Sequence, residues 1–164
     1  MKIREQVVIF PDIHFPHEDK KALSCALAVL EYVKPKSFLL LGDFAENEEA
    51  SHWKYQKVKR PRLEDQLKFI DEELELVNKG LDLIDESCKK AKVKYKICTE
   101  GNHEIWLKNL CDEHPYLKKQ YMPKIAFKMK ERGYDYHPYG KYIKIRNSKL
   151  WAYHGGHYTG VNHP

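Results

Sequence analysis

The sequence predicts an α/β fold layered around a central sheet. Two short apolar runs, at residues 6–10 and 37–41, and a third strand candidate at 93–98 alternate with longer stretches whose apolar residues recur at helical spacing. Each run also releases residues able to hold a metal, and in such folds ligands gather beyond the carboxyl ends of the strands.

Residues 6–10 are largely apolar and rich in β-branched side chains, and they stop at Pro11, the pattern of a buried strand. Asp12 and His14 follow in a loop. Residues 18–34 read as a helix with Ala22, Leu23, Ala26, Leu27, Leu30 and Val33 on one wide face, ended by Pro35. Residues 37–41 are a second apolar strand, with Gly42-Asp43 at its exit. From about residue 62 to 90, Leu63, Leu67, Ile70, Leu74, Val77, Leu81 and Ile84 form one continuous helical stripe. The stripe is expected to pack on its own domain, with a homo-oligomer seam as the alternative, and Gly80 speaks against an uninterrupted rod. Residues 50–92 thus read as a largely helical insertion within a single domain spanning 1–164.

Residues 93–98 give the third strand, with Thr99-Glu100-Gly101-Asn102-His103-Glu104 at its end. Residues 104–111 and 116–132 are expected to be helical. Residues 142–146 and 149–153 are expected to pair as a hairpin around Asn147-Ser148 and to deliver His154-Gly155.

Bulk composition narrows the class further. The chain has 164 residues, 42% hydrophobic and 32% charged, with a net charge of +5, which suits one domain with a real core. Cys25, Cys88, Cys98 and Cys111 are scattered without a Cys-x-x-Cys pair, as expected of reduced thiols rather than a zinc cage or disulfide frame. The first residues lack the apolar stretch of a signal peptide, and no run approaches a membrane helix, so the expected compartment is the cytoplasm.

The candidate chemistry rests on Asp12, His14, Asp43, Asn102, His103 and His154. Carboxylate oxygens with neutral imidazole suit Mn²⁺, Fe or Zn²⁺. Two carboxylates converging at one point would repel unless a cation neutralised them. Singly these residues say little. Gly-Asn-His-Glu is a rarer string, arising by chance on the order of once per thousand chains of this size. Its position between the earlier Asp-x-His and Gly-Asp and the later His-Gly makes coincidence a poor account.

The ordered series Asp12-Ile13-His14, Gly42-Asp43, Gly101-Asn102-His103-Glu104 and His154-Gly155 resembles the signature of calcineurin-like metallophosphoesterases. Residues 51–53 and 134–140 resemble the phage and prophage branch, so the compartment implied is the cytoplasm of a bacterium or of a phage-infected host. The resemblance implies a β-sandwich flanked by helices and two divalent ions, Mn²⁺ first, with Fe, Zn²⁺ or Ni²⁺ as alternatives. Asp12 and His14 would hold the first ion, Asp43 would bridge both, and Asn102 and His154 would hold the second. A metal-bridging hydroxide would attack phosphorus, with His103 steadying the phosphate or protonating the leaving oxygen.

Two departures from the family pattern stand out. Glu46 occupies the position where relatives carry an Asp that orients the histidine of Gly-Asn-His. The closing Gly-His-x-His is missing before Pro164, so the chain is expected to be truncated ahead of that motif, with His157 as a partial echo. Basic clusters at 54–62, 89–96 and 118–132 fit either a solvated face or a phosphate-bearing partner, with Lys57, Arg60 and His157 as candidate substrate contacts. The expected activity is therefore hydrolysis of a phosphodiester, nucleic acid among the candidate substrates and partners. The alternatives are a phosphomonoesterase acting on protein or nucleotide phosphates, or a catalytically dead binding module.

Overall fold

The computed structural model describes residues 6–146 and 148–155. Four parallel strands lie side by side in sequence order: β1 (Val7–Phe10), β2 (Ser37–Leu41), β3 (Tyr95–Thr99) and β4 (Tyr134–His137). Helix α1 (Lys20–Val33) joins β1 to β2, and α2 (Leu63–Lys90) joins β2 to β3. Helix α3 (Asn102–Glu113) opens the path to β4, followed by the short α4 (Lys118–Tyr121) and α5 (Pro123–Ala126). A separate antiparallel pair, β5 (Ile143–Lys144) and β6 (Trp151–Ala152), completes the described chain.

The pleat sorts the strand side chains into two layers. Phe10, Phe38, Leu40 and Cys98 join Leu30 of α1, the α2 stripe (Ile70, Leu74, Val77, Leu81, Ile84) and Leu107 and Leu110 of α3 in one core. The alternate residues Leu39 and Ile97 pack with Ile143, Ile145 and Ala152 of the hairpin layer. Helices thus cover one face of the sheet and a small β layer lies against the other, a layered α/β arrangement consistent with the metallophosphoesterase fold.

Three expectations need correction. The stretch 116–132 is not one helix. Residue Met122, before Pro123, takes an extended conformation (φ −57°, ψ 131°), as residues preceding proline prefer, and the chain breaks into short turns. These turns bury Leu117, Tyr121, Phe127 and Met129. Strand β4 was not foreseen, because Tyr-Asp-Tyr-His has no apolar run and only four residues. Finally, α2 runs unbroken through Gly80. A side chain there would meet the Phe15 ring at 2.5 Å, so the glycine makes room for Phe15, which is 2% exposed.

The basic clusters are partly spent on the fold. Arg132 reaches Asp85 (2.6 Å), Asp82 (2.7 Å) and both oxygens of Asn78 (3.1 Å). Lys96 pairs with Asp85 at 2.8 Å, and Lys54 pairs with Glu49. No described helix is long and apolar enough to cross a membrane.

A Gly→Ala change inside a helix ordinarily stabilises by about 1 kcal/mol. Gly80→Ala should instead destabilise by about 1–3 kcal/mol, because Phe15 must shift. Urea unfolding of Gly80→Ala, and of the same change combined with Phe15→Leu, measures this; recovery in the double variant is the expected result.

Candidate functional site

Parallel pairing in register brings three strand ends to one edge: Phe10 lies beside Leu40, Leu40 beside Cys98, and Leu41 beside Thr99. The loops beyond continue the ladder. Asp12 N–H donates to the Gly42 carbonyl (3.2 Å), His14 N–H to the Asp43 carbonyl (3.0 Å) and Phe15 N–H to the Phe44 carbonyl (2.9 Å). Asp12, His14 and Asp43 all lie in the left-handed region, at φ of 52°, 55° and 46°. Non-glycine residues adopt that conformation at a cost, and such strain gathers at functional sites.

Asp12, His14 and Asp43 each offer a ligand atom within 4.8 Å of the others, as do His14, Glu46 and His103. Asp43 also faces a second group. Its Oδ2 lies 3.2 Å from His154 Nε2, which in turn lies 3.1 Å from Asn102 Oδ1. Two clusters of N and O donors therefore share one buried carboxylate. That donor chemistry fits divalent cations, and the structure brings together all six residues singled out from sequence.

The histidines are aimed alike. Nδ1 of His14 faces Glu46 Oε2 (2.8 Å), Nδ1 of His103 faces the Glu46 carbonyl (2.7 Å), and Nδ1 of His154 faces the Leu41 carbonyl (2.9 Å). A carbonyl oxygen and a carboxylate only accept, so each Nδ1 carries a proton, and the nitrogen left to face a cation is Nε2. Glu46, expected to steady His103 with its side chain, binds His14 with that side chain and His103 through its backbone; its Oε1 is 3.6 Å from His103.

Electrostatics follow from this packing. Burial alone would raise the Asp43 pKa, but hydrogen bonds from His154 and the His103 N–H outweigh it, and the net shift is downward. For His154, burial opposes the charged ring, yet Asp43, the Leu41 carbonyl and Asp12 push its pKa up to about 9.

Glu104 was quoted in the sequence motif without a role, and it is the organising group beneath the site. It is fully buried and accepts three backbone N–H bonds: Gly101 (2.6 Å) and Asp43 (2.9 Å) at Oε2, and Ala45 (3.0 Å) at Oε1. Burial, then the Asp43 charge, raises its pKa to about 8 against the pull of those N–H donors. Its place at the third position of α3 is a capping-box signal, but its reach to the β2 loop is not written locally. Glycines clear the remaining space. A side chain at Gly42 would meet His154 Nδ1 at 2.6 Å, and one at Gly101 would collide with the Asp43 carboxylate.

An open cleft of about 710 Å³ lies over these donors, lined by Asp12, Asp43, Asn102, His154, Pro11, Trp53, Trp106 and Tyr153 among others. Of this aromatic lining, Trp106 and Tyr153 were not foreseen. The His103 ring is not part of this lining; it packs 4.0 Å from Trp106 and 4.7 Å from His14. Lys57 and Arg60 are exposed and outside the cleft, Arg60 lying 3.6 Å from Glu113. His157 lies outside the described residues.

The family model described as calcineurin-like phosphoesterase matches residues 6–163. No curated protein and no solved structure matches the chain.

Two expectations follow from this geometry. Glu104→Gln puts an amide N–H against one of three backbone donors, and should cost about 1–3 kcal/mol of stability in urea unfolding. Separately, a His154 ring protonated up to about 9, against an ordinary 6.5, adds stability that is complete below pH 6.5 and is lost as pH rises through 9. In chelator-treated protein the unfolding free energy should decline across that window, and His154→Gln should flatten the decline. An unchanged slope would assign the titration to another group.

Proposed function

We propose, from the premise that this chain belongs to the calcineurin-like phosphoesterase family and is therefore a metal-dependent phosphoesterase, that it hydrolyses phosphodiesters at a two-ion centre built around Asp43. The observation that carries this reading is the sharing of one buried carboxylate by two donor groups, Asp12 with His14 on one side and Asn102 with His154 on the other. Divalent cations bound there, Mn²⁺ being the first choice, would supply an activated water and neutralise charge on the phosphoryl oxygens.

The protein's own residues do the rest. Asp12, His14 and Asp43 are held in strained left-handed backbone that the loop-to-loop hydrogen bonds sustain, so little reorganisation is needed on binding. The Nδ1–H bonds of His14 and His154 leave Nε2 as the nitrogen that would face the ions. His103, pinned by the Glu46 carbonyl and by its own N–H to Asp43 Oδ1 (2.9 Å), keeps Nε2 for proton exchange with the leaving oxygen. The water oxygen bonds to phosphorus and gives up a proton, the bond to the leaving oxygen breaks, and that oxygen takes up a proton by way of His103. The open cleft, in place of a closed pocket, favours a phosphorus carrying groups on both sides and so a diester over a monoester.

Hydrolysis of bis-p-nitrophenyl phosphate and of p-nitrophenyl phosphate with Mn²⁺ separates the two activities, with Asp43→Asn expected to abolish turnover. Monoester turnover that exceeds diester turnover would reverse the assignment. His103→Ala should lower kcat by about 10²–10⁴-fold for an alkyl leaving group and much less for nitrophenolate, which needs no proton. Equal losses for both leaving groups would remove His103 from proton transfer.

A further inference from the structure

The cleft holds a feature that metal chemistry does not call for. Trp53 lines it beside Asp12 and Asp43, yet 59% of its surface is exposed. Its position is braced. Its backbone N–H donates to Ser51 Oγ (3.1 Å), and the His52 ring lies 4.4 Å from the indole. The residues that follow are anchored as well: Lys54 Nζ and the Tyr55 hydroxyl both donate to the Glu49 carboxylate, the latter at 2.8 Å. A large flat side chain is thus left uncovered in the same cleft as the hard-cation donors, on a segment anchored at both sides. Trp106 and Tyr153 add two more aromatic walls to the same cleft. Lys57 and Lys59, exposed and without an ion pair among the described residues, extend the same segment with positive charge.

We propose that Trp53 is a stacking platform for a nucleobase, so that the diester cleaved at the Asp43 centre is a nucleoside phosphodiester with an unpaired base. This rests on the phosphodiesterase reading above. Stacking on an aromatic face tolerates every base, because each has a π surface. It also demands a base free of a helix, since the face that meets Trp53 must be open. The recognition is therefore of nucleoside character next to the phosphate, with specificity for base identity left weak.

The test compares thymidine 5′- and 3′-p-nitrophenyl phosphates with methyl p-nitrophenyl phosphate, which shares the leaving group and lacks the nucleoside. One thymidine ester should exceed the methyl ester in kcat/KM, and Trp53→Leu should reduce that ratio on the order of tenfold. Trp53→Phe should retain most of it. Leucine fills apolar space without a stacking face, so a ratio unchanged by leucine overturns the proposal, as does a wild-type ratio near one. If no ester is hydrolysed, the phosphodiesterase reading fails by itself. Quenching of tryptophan fluorescence by thymidine monophosphate, weakened in Trp53→Leu, then still decides the stack. Competition by oligothymidylate well below the monophosphate concentration, and weakened by salt, identifies a strand as the source of the base; equal competition identifies a free nucleotide.

Discussion

A carboxylate with no access to water holds this site together. Glu104 sits at the first turn of α3, yet its two oxygens take N–H groups from three places: Gly101 at the end of β3, and Asp43 and Ala45 in the loop after β2. Burying a carboxylate costs several kcal/mol unless its lone pairs are met. Here the donors are backbone groups that would themselves be stranded without it. The two loops cannot part without exposing both debts, and the position of Asp43 follows. Its carboxylate is then fixed by the His103 N–H, and Asn47 Nδ2 donates to the His103 carbonyl (3.2 Å). The chain of dependence runs from a buried acid, through backbone, to the carboxylate shared by two groups of N and O donors.

The same economy explains the unusual backbone. Left-handed conformations at Asp12, His14, Asp43 and Asn47 each cost on the order of 1–2 kcal/mol for a side-chain-bearing residue. They persist because the β1 and β2 loops run side by side and exchange hydrogen bonds from Asp12 as far as Glu46, whose N–H donates to the Phe15 carbonyl (2.9 Å). Phe15 then plugs this double loop into the core against Gly80 of α2. Gly80, more than sixty residues further along the chain, thereby supports the His14 position. Glu46 divides its labour along the same lines. Its longer arm, compared with Asp, reaches His14, while its carbonyl accepts the His103 Nδ1–H bond.

The sequence made β1 and β2 legible as apolar runs ended by a proline or a glycine-containing turn, and β3 as Val93, Tyr95 and Ile97 alternating with lysines ahead of Gly101. It made the metal-capable residues legible because their order along the chain survives as convergence at one sheet edge. What escaped detection is non-local. Strand β4 is polar and short, and its placement depends on Glu100, which accepts from the Tyr136 hydroxyl (2.6 Å) and the Tyr139 N–H (3.0 Å). The role of Glu104 depends on a loop about sixty residues away. Trp53 and Trp106 carry no periodic signal that separates a cleft wall from a core residue. The helix expected over 116–132 failed for a local reason that was legible, Pro123 and the extended conformation it imposes on Met122.

The two donor groups rest on unequal foundations. Asp12, His14 and Asp43 spring from the main sheet, whose core includes side chains from three helices. His154 follows a hairpin whose strands are two residues each, an element with little stability of its own. That hairpin is held by Leu39, Ile97, Ile143, Ile145 and Ala152, and by the His154 Nδ1–H bond to the Leu41 carbonyl. Local opening draws on the elements with the fewest buried contacts. The hairpin side of the centre is thus the side that can loosen first, and the histidine it carries has its own ligand-facing nitrogen already turned to Asp43. Binding of a cation at Asp43, Asn102 and His154 would tie the hairpin layer to the sheet, so the weaker half of the fold and the second donor group stand or fall together.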